Sequence, residues 1–155
     1  MSGNGRYVAF QSEASNLVPG DTNGTHDVFV HDRLTGETTR VSVSTGGEQG
    51  SSRSEWPSIS GDGRYVAFAS YADNLVPGDA NWSRDIFVHD RLTGQTTRVS
   101  VSTGGRQASG DSYYPSMSAD GKYVAFHSVA SNLVPGDTND CCGIFVHDRW
   151  PWLGP

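Results

Sequence analysis

The sequence predicts an all-β fold: a β-propeller segment of four-stranded antiparallel blades, with one full blade flanked by two incomplete ones. Three observations predict it. A turn and strand, Asp62-Gly63-Arg64-Tyr65-Val66-Ala67-Phe68, recurs as Gly5 to Phe10 and as Gly121 to Phe126. The spacing is fixed, because 63 − 5 and 121 − 63 both give 58 residues, and a fixed period of this order marks a repeat architecture. The repeated strand is apolar on both faces, with Tyr65 and Ala67 on one and Val66 and Phe68 on the other. A sheet apolar on both sides must be covered on both sides, and blades packed around an axis provide that cover.

Composition agrees. Of 155 residues, 35% are hydrophobic and 18% charged, with 19 Gly and 7 Pro, which suits a turn-rich all-β chain. No apolar run approaches a membrane-spanning helix. The formal net charge is −6 with no basic patch, which argues against nucleic-acid binding. Residues 1 to 6 carry no apolar signal core, so nothing in the sequence as given exports the chain. Cys141 and Cys142 are adjacent, and a bridge between neighbours would be strained, so no disulfide framework is expected.

The middle repeat shows the elements in order. Pro57 to Ser60 is a short first strand. Gly61-Asp62-Gly63 is a tight turn, and Arg64 to Ser70 is the second strand. A long connection from Tyr71 to Arg84 contains Pro77-Gly78, which fits the central pair of a type II turn. Asp85 to Asp90 is the third strand. Arg91-Leu92-Thr93-Gly94 turns the chain into a fourth, Thr96 to Ser102, and Thr103 to Tyr114 leads onward. The blades are therefore expected at about 1-56, 57-114 and 115-149, with 150-155 outside the repeat. Met1 stands opposite Ile59 and so within a first strand. Trp150 to Pro155 replaces the Leu-Thr-Gly turn, and two prolines make a poor fourth strand. Closing the ring is expected to need further blades or self-association.

The Asp-Gly-(Arg/Lys)-Tyr-Val-Ala-Phe turn and strand, followed by Asp-(Val/Ile)-Phe-Val-His-Asp-Arg, resembles the TolB-like repeat of bacterial propellers, related in architecture to WD-repeat propellers. The resemblance spans residues 1 to 149. It implies a periplasmic, secreted or cell-surface parent protein with protein or glycan partners. This chain itself does not reveal its compartment.

Three sets of residues invite a chemical reading. His31, His89 and His147 recur in every repeat, each before Asp-Arg, whereas a catalytic group is needed once. They are expected to hold each blade together. Asp21, Asn23 and Asp27, and again Asp79, Asn81 and Asp85, set oxygen atoms at positions one, three and seven of a loop, which makes Ca²⁺ the candidate cation. The alternative is loop capping by Asp and Asn side chains. In the third copy Gly143 replaces the last Asp. Trp56, Tyr71, Trp82, Tyr113 and Tyr114 lie in or beside the long connections, which share one side of a propeller, and form the candidate binding face. Trp82 stands where the first repeat has Gly24 and the third Asp140.

The sequence therefore points to a non-catalytic interaction scaffold with no cofactor beyond that candidate ion. The alternatives are the propeller part of a hydrolase or peptidase, and a truncated fragment with no separate function. A cluster of carboxylates or histidines on the innermost strands would favour an enzyme. Pro57 to Ser60 and Pro115 to Ser118 carry none.

Overall fold

The computed structural model describes residues 1–138 and 142–150. All regular elements among them are strands, arranged in three antiparallel sheets. The first sheet holds β1 (Tyr7–Ser12), β2 (Asp27–Asp32) and β3 (Thr38–Arg40). The middle sheet holds β4 (Ser54–Ile59), β5 (Tyr65–Ser70), β6 (Asp85–Asp90) and β7 (Thr96–Arg98). The third holds β8 (Ser112–Met117), β9 (Tyr123–Ser128) and β10 (Gly143–Asp148). Strands pair in sequence order, so each sheet is a meander. The middle sheet is the four-strand unit. Among the described residues the first lacks an innermost strand and the third an outermost one; residues 151–155 of the expected non-repeat tail lie outside the described residues.

Three local expectations need correction. The innermost strand is longer than Pro57 to Ser60: β4 starts at Ser54 and β8 at Ser112. Each contains a bulge, where the register slips between Glu55 and Ser58 and between Tyr113 and Ser116. The bulge tolerates the proline, which has no N–H to give the ladder. Tyr113 and Tyr114 therefore lie on a strand, not in a connection. Glu55 is also on an innermost strand, so those strands do carry a carboxylate. The fourth strand ends early, at Arg98. Beyond it Val99 N still donates to Ile86 O at 2.8 Å, and the Ser100 hydroxyl then takes over from the backbone, accepting from Ile86 N at 3.0 Å and donating to Asp85. Finally, residues 1 to 6 form no strand. Ser2 N donates to Tyr7 O as Ser60 N does to Tyr65 O, while Met1 is exposed.

The core lies between sheets rather than inside one. Val28 and Val30 of the first sheet meet Ile59, Val66, Phe68 and Phe87 of the middle one. One repeat on, Tyr65, Ala67, Ile86 and Val88 meet Val124 and Phe126. Alternate residues of each strand thus serve the neighbouring blade on either side, as the two-sided apolar pattern requires.

Within each repeat a carboxylate fastens β1 or β5 to the turn after the next strand. Arg64 donates two hydrogen bonds to Asp90, at 2.9 and 2.7 Å, and Arg6 does the same to Asp32. This bidentate pairing holds both aspartates well below the usual carboxylate range. The repeated histidines act likewise. His31 and His89 bond Thr38 and Thr96 at 2.9 Å and tie the third strand to the fourth.

Candidate binding face

The registers place the start of β4, the end of β5 and the start of β6 on one side, with Ser54 opposite Ser70 and Ser70 opposite Asp85. The long connections leave from that side. Arg84 sits there at the junction of the middle and third sheets, 6% exposed. Its guanidinium carbon lies 4.3 Å from the Trp56 ring centre, 4.5 Å from Tyr71 and 5.1 Å from Tyr113. Its Nη2 donates to Glu55 Oε2 at 3.0 Å, while its buried Nε has no hydrogen-bond partner among the described residues.

Asp111 joins the same group. Its carboxylate accepts from Arg84 N at 2.8 Å, from the Tyr113 hydroxyl at 2.8 Å and from the Tyr71 hydroxyl at 3.3 Å. Burial, together with that carboxylate, pushes the Tyr113 hydroxyl up to about 12. Tyr113 therefore stays a neutral donor at any physiological pH.

Trp56 and Tyr114 occupy the bulges with left-handed backbones, φ +55 and +51. Their rings meet at 4.4 Å, and Tyr114 is 62% exposed. Trp56 N donates to Gln11 Oε1 at 2.7 Å. Trp82 lies apart from this group. It is 89% exposed with φ +55, and its counterpart Gly24 has φ +66. Only glycine adopts that conformation without cost, so the backbone of this turn is kept while a large ring is projected from it. Trp82 and Tyr71 border a cleft of about 480 Å³ lined also by Ser51, Ser52, Asp73, Asp79 and Ser83.

Of the predicted binding residues, Trp56, Tyr71, Tyr113 and Tyr114 are brought together, and Trp82 shares a cleft with Tyr71. Sequence reasoning missed Arg84, Glu55 and Asp111. A signal for them exists in the repeat itself. Aligned at 58 residues, Tyr71 stands opposite Glu13 and Val129, Arg84 opposite His26 and Cys142, and Asp111 opposite Arg53. Glu55 likewise stands opposite Tyr113, and Gln11 opposite Ala69 and His127. Positions that break the repeat converge on one place.

The candidate calcium ligands are also brought together, but around an arginine. Asp27 and Asp85 begin β2 and β6 and are fully buried. Arg98 Nη1 lies 3.3 Å from Asp79 and 3.5 Å from Asp85, and Gln107 Nε2 donates to both at 2.6 and 2.9 Å. Arg40 and Gln49 repeat this arrangement at Asp21 and Asp27. Asn23 and Asn81 donate to Asp27 and Asp85 through their amides, and their carbonyls cap the loop at Thr25 N and Ser83 N. The guanidinium thus stands where a cation would neutralise the pair. Burial raises Asp85, while Ser100, Gln107 and Arg98 counter it. Among the described residues no group of three His, Cys, Asp or Glu side chains is placed to hold a metal. Residues 139–141 of the third loop, with Asp140 and Cys141, lie outside the described residues.

No family model and no curated protein matches the sequence. Solved structures do. The chain superposes on TolB from Acinetobacter baumannii with a TM-score of 0.55 at 18% identity, over 96% of this chain and 28% of that one. The putative TolB from Agrobacterium tumefaciens gives 0.57 at 19% identity, over 96% and 43%. This is a TolB-type β-propeller fold. The tricorn protease also matches, at 0.54 and 17% identity, over 84% of this chain and 10% of that one. At these identities the likeness is one of fold. The chain spans less than half the length of either TolB protein.

Proposed function

We propose that this TolB-like segment is a non-catalytic interaction scaffold, and that its partner meets the loop side of the middle and third blades. The convergence there of the positions that break the repeat carries this reading. Residues that build a blade recur every 58 positions; residues that serve one partner need not. At this place the chain sets Tyr114 in solvent on a left-handed backbone beside the Arg84–Glu55–Asp111 group, and Trp82, exposed and left-handed too, stands across the cleft it shares with Tyr71. Rigid aromatic rings around a fixed arginine suit a protein or glycan partner. The resemblance to TolB supports an encounter outside the cytoplasm. Glu55 is the one carboxylate found on an innermost strand among the described residues, and Arg84 pairs with it. A paired carboxylate supports anchoring rather than proton transfer.

A panel of oligosaccharides and synthetic peptides, titrated against the chain, tests this reading. Ligand binding should weaken roughly tenfold or more in Trp82→Ala or Tyr114→Ala, since exposed aromatic anchors carry much of such energy. It should stay unchanged in Leu34→Ala and Leu92→Ala, whose side chains are exposed on the opposite, short-turn side. Binding lost in the leucine variants and kept in the aromatic ones would overturn it.

A further inference from the structure

The two contacts between sheets are copies of one another. Tyr7 lies against Gly63, so closely that a Cβ there would stand 2.1 Å from the ring. The Arg91 guanidinium lies 4.4 Å from the same ring and donates to Gly63 O at 2.7 Å. One repeat on, Tyr65 lies against Gly121, with 2.4 Å to a Cβ, and Arg149 lies 4.1 Å from its ring while donating to Gly121 O at 2.7 Å. A backbone bond repeats too: Gly3 N donates to Gly61 O, and Gly61 N to Ala119 O.

A third set of the same parts is divided between the outer blades. Arg33 donates to Gly5 O at 2.9 Å, in the pose of Arg91 and Arg149. The space beside Gly5 is open, however, with Arg33 Nη1 at 3.6 Å and Met1 Sδ at 3.8 Å as the nearest atoms to a Cβ. Among the described residues no tyrosine lies over Arg33. The matching ring, Tyr123, is on the far blade and 41% exposed. Around it Ile144 and Val146 are 74% and 65% exposed, whereas their middle-blade counterparts Ile86 and Val88 are buried. The face that would cover them is also present. Val8 and Phe10 are the counterparts of the fully buried Val66 and Phe68, yet only half-buried.

We propose that a second copy of this chain docks head to tail, its first blade on the third blade of the first copy. Tyr123 enters the seat made by Gly5 and Arg33 of the other copy, and Ile144 and Val146 pack on its Val8 and Phe10. Ala119 N donates to Gly3 O of the other copy. The occupant follows from continuity, because each open face already meets its complement twice within the chain. Such a contact is heterologous and closes only if the rotation completes a ring. Two copies place six blades around the axis, a normal propeller number. The inference does not rest on the loop-side reading, and the two can fail separately.

Sedimentation velocity of the chain across micromolar concentrations tests it. The expected species is a compact dimer of twice the 16.6 kDa chain. Arg33→Ala and Ile144→Asp, on opposite faces, should each weaken it roughly tenfold or more. Trp82→Ala, on neither face, should leave it unchanged. Tyr123→Ala provides a milder change on an exposed ring should Ile144→Asp not fold. A monomer throughout, an assembly indifferent to Arg33→Ala and Tyr123→Ala, or an open series of larger species would each overturn the closed pair.

Discussion

The Arg84 guanidinium carbon lies 4.3 Å from the centre of the Trp56 ring, while its Nη2 holds Glu55 at 3.0 Å. The two contacts make Arg84 the post around which the loop-side group stands. Its side chain is only 7% exposed, and that of Glu55 13%. Removing one partner of such a pair leaves a charge without compensation, so Arg84→Ala should destabilise by about 3–5 kcal/mol. Arg84→Lys should recover little of this, because an ammonium cannot stack as the planar fork does. Denaturant midpoints, with tryptophan emission as a second probe, check both.

The repeated phenylalanines should not be equal. Phe68 is fully buried beside Phe87, and Phe126 is 3% exposed against the middle blade. Phe126 therefore does not border an open face, contrary to what its place in the outer blade implies. Only Phe10 does, and it is half-buried. Phe68→Ala and Phe126→Ala should each cost about 3–5 kcal/mol and Phe10→Ala clearly less. Equal losses at Phe10 and Phe68 in dilute chain would count against the assigned faces.

Stability should fall in acid in two stages. Burial pushes His89 and His147 below the ordinary imidazole value. The unfolded chain then takes up protons first as pH drops through about 6.5, so stability is full above that value and declines below it. The depressed aspartates Asp32 and Asp90 contribute stability that is full above about pH 4 and is lost as pH falls further, which makes the second stage. Melting temperatures from pH 8 to pH 3 check the shape. His89→Asn should reduce the first stage to the part that His147 contributes and leave the second.

The arginine between the loop carboxylates makes a distinct forecast for calcium. With Arg98 3.3 Å from Asp79 and 3.5 Å from Asp85, millimolar Ca²⁺ should leave the melting temperature unchanged. In Arg98→Gln the pair loses its cation, so the chain should melt lower and regain part of the loss with Ca²⁺ by mass action. A rise in melting temperature with Ca²⁺ in the unaltered chain would show that the ion displaces the guanidinium.

The blades were legible in the sequence because their signal repeats. A strand apolar on both faces, a turn at Gly63 and a 58-residue period leave few folds open. The candidate site was legible only in part, because its residues are the ones that do not repeat. Trp56 and Tyr114 stood out as aromatics. Arg84 did not, since nothing local marks an arginine that is later buried among three rings. The bulge that turns Trp56 and Tyr114 outward leaves no mark except the proline after each. The Asp-x-Asn loops read as ion ligands or as caps, and nothing local announces Arg40 and Arg98, which arrive between the carboxylates from another strand.

One tyrosine seat joins successive blades, and among the described residues no tyrosine of the same chain fills the seat at Gly5. Paired substitution of the two glycines tests it most directly, made in the Ile144→Asp background so that no second copy fills the seat. Both glycines are left-handed, φ +71 at Gly5 and +78 at Gly63, so each alanine carries a similar strain of about 1–2 kcal/mol. Only Gly63→Ala must also displace a ring, Tyr7, which adds about 1–3 kcal/mol. Urea melts should therefore show Gly63→Ala losing clearly more than Gly5→Ala. Equal losses would mean that Tyr7 does not occupy the seat, and the account of how the blades are joined would be wrong.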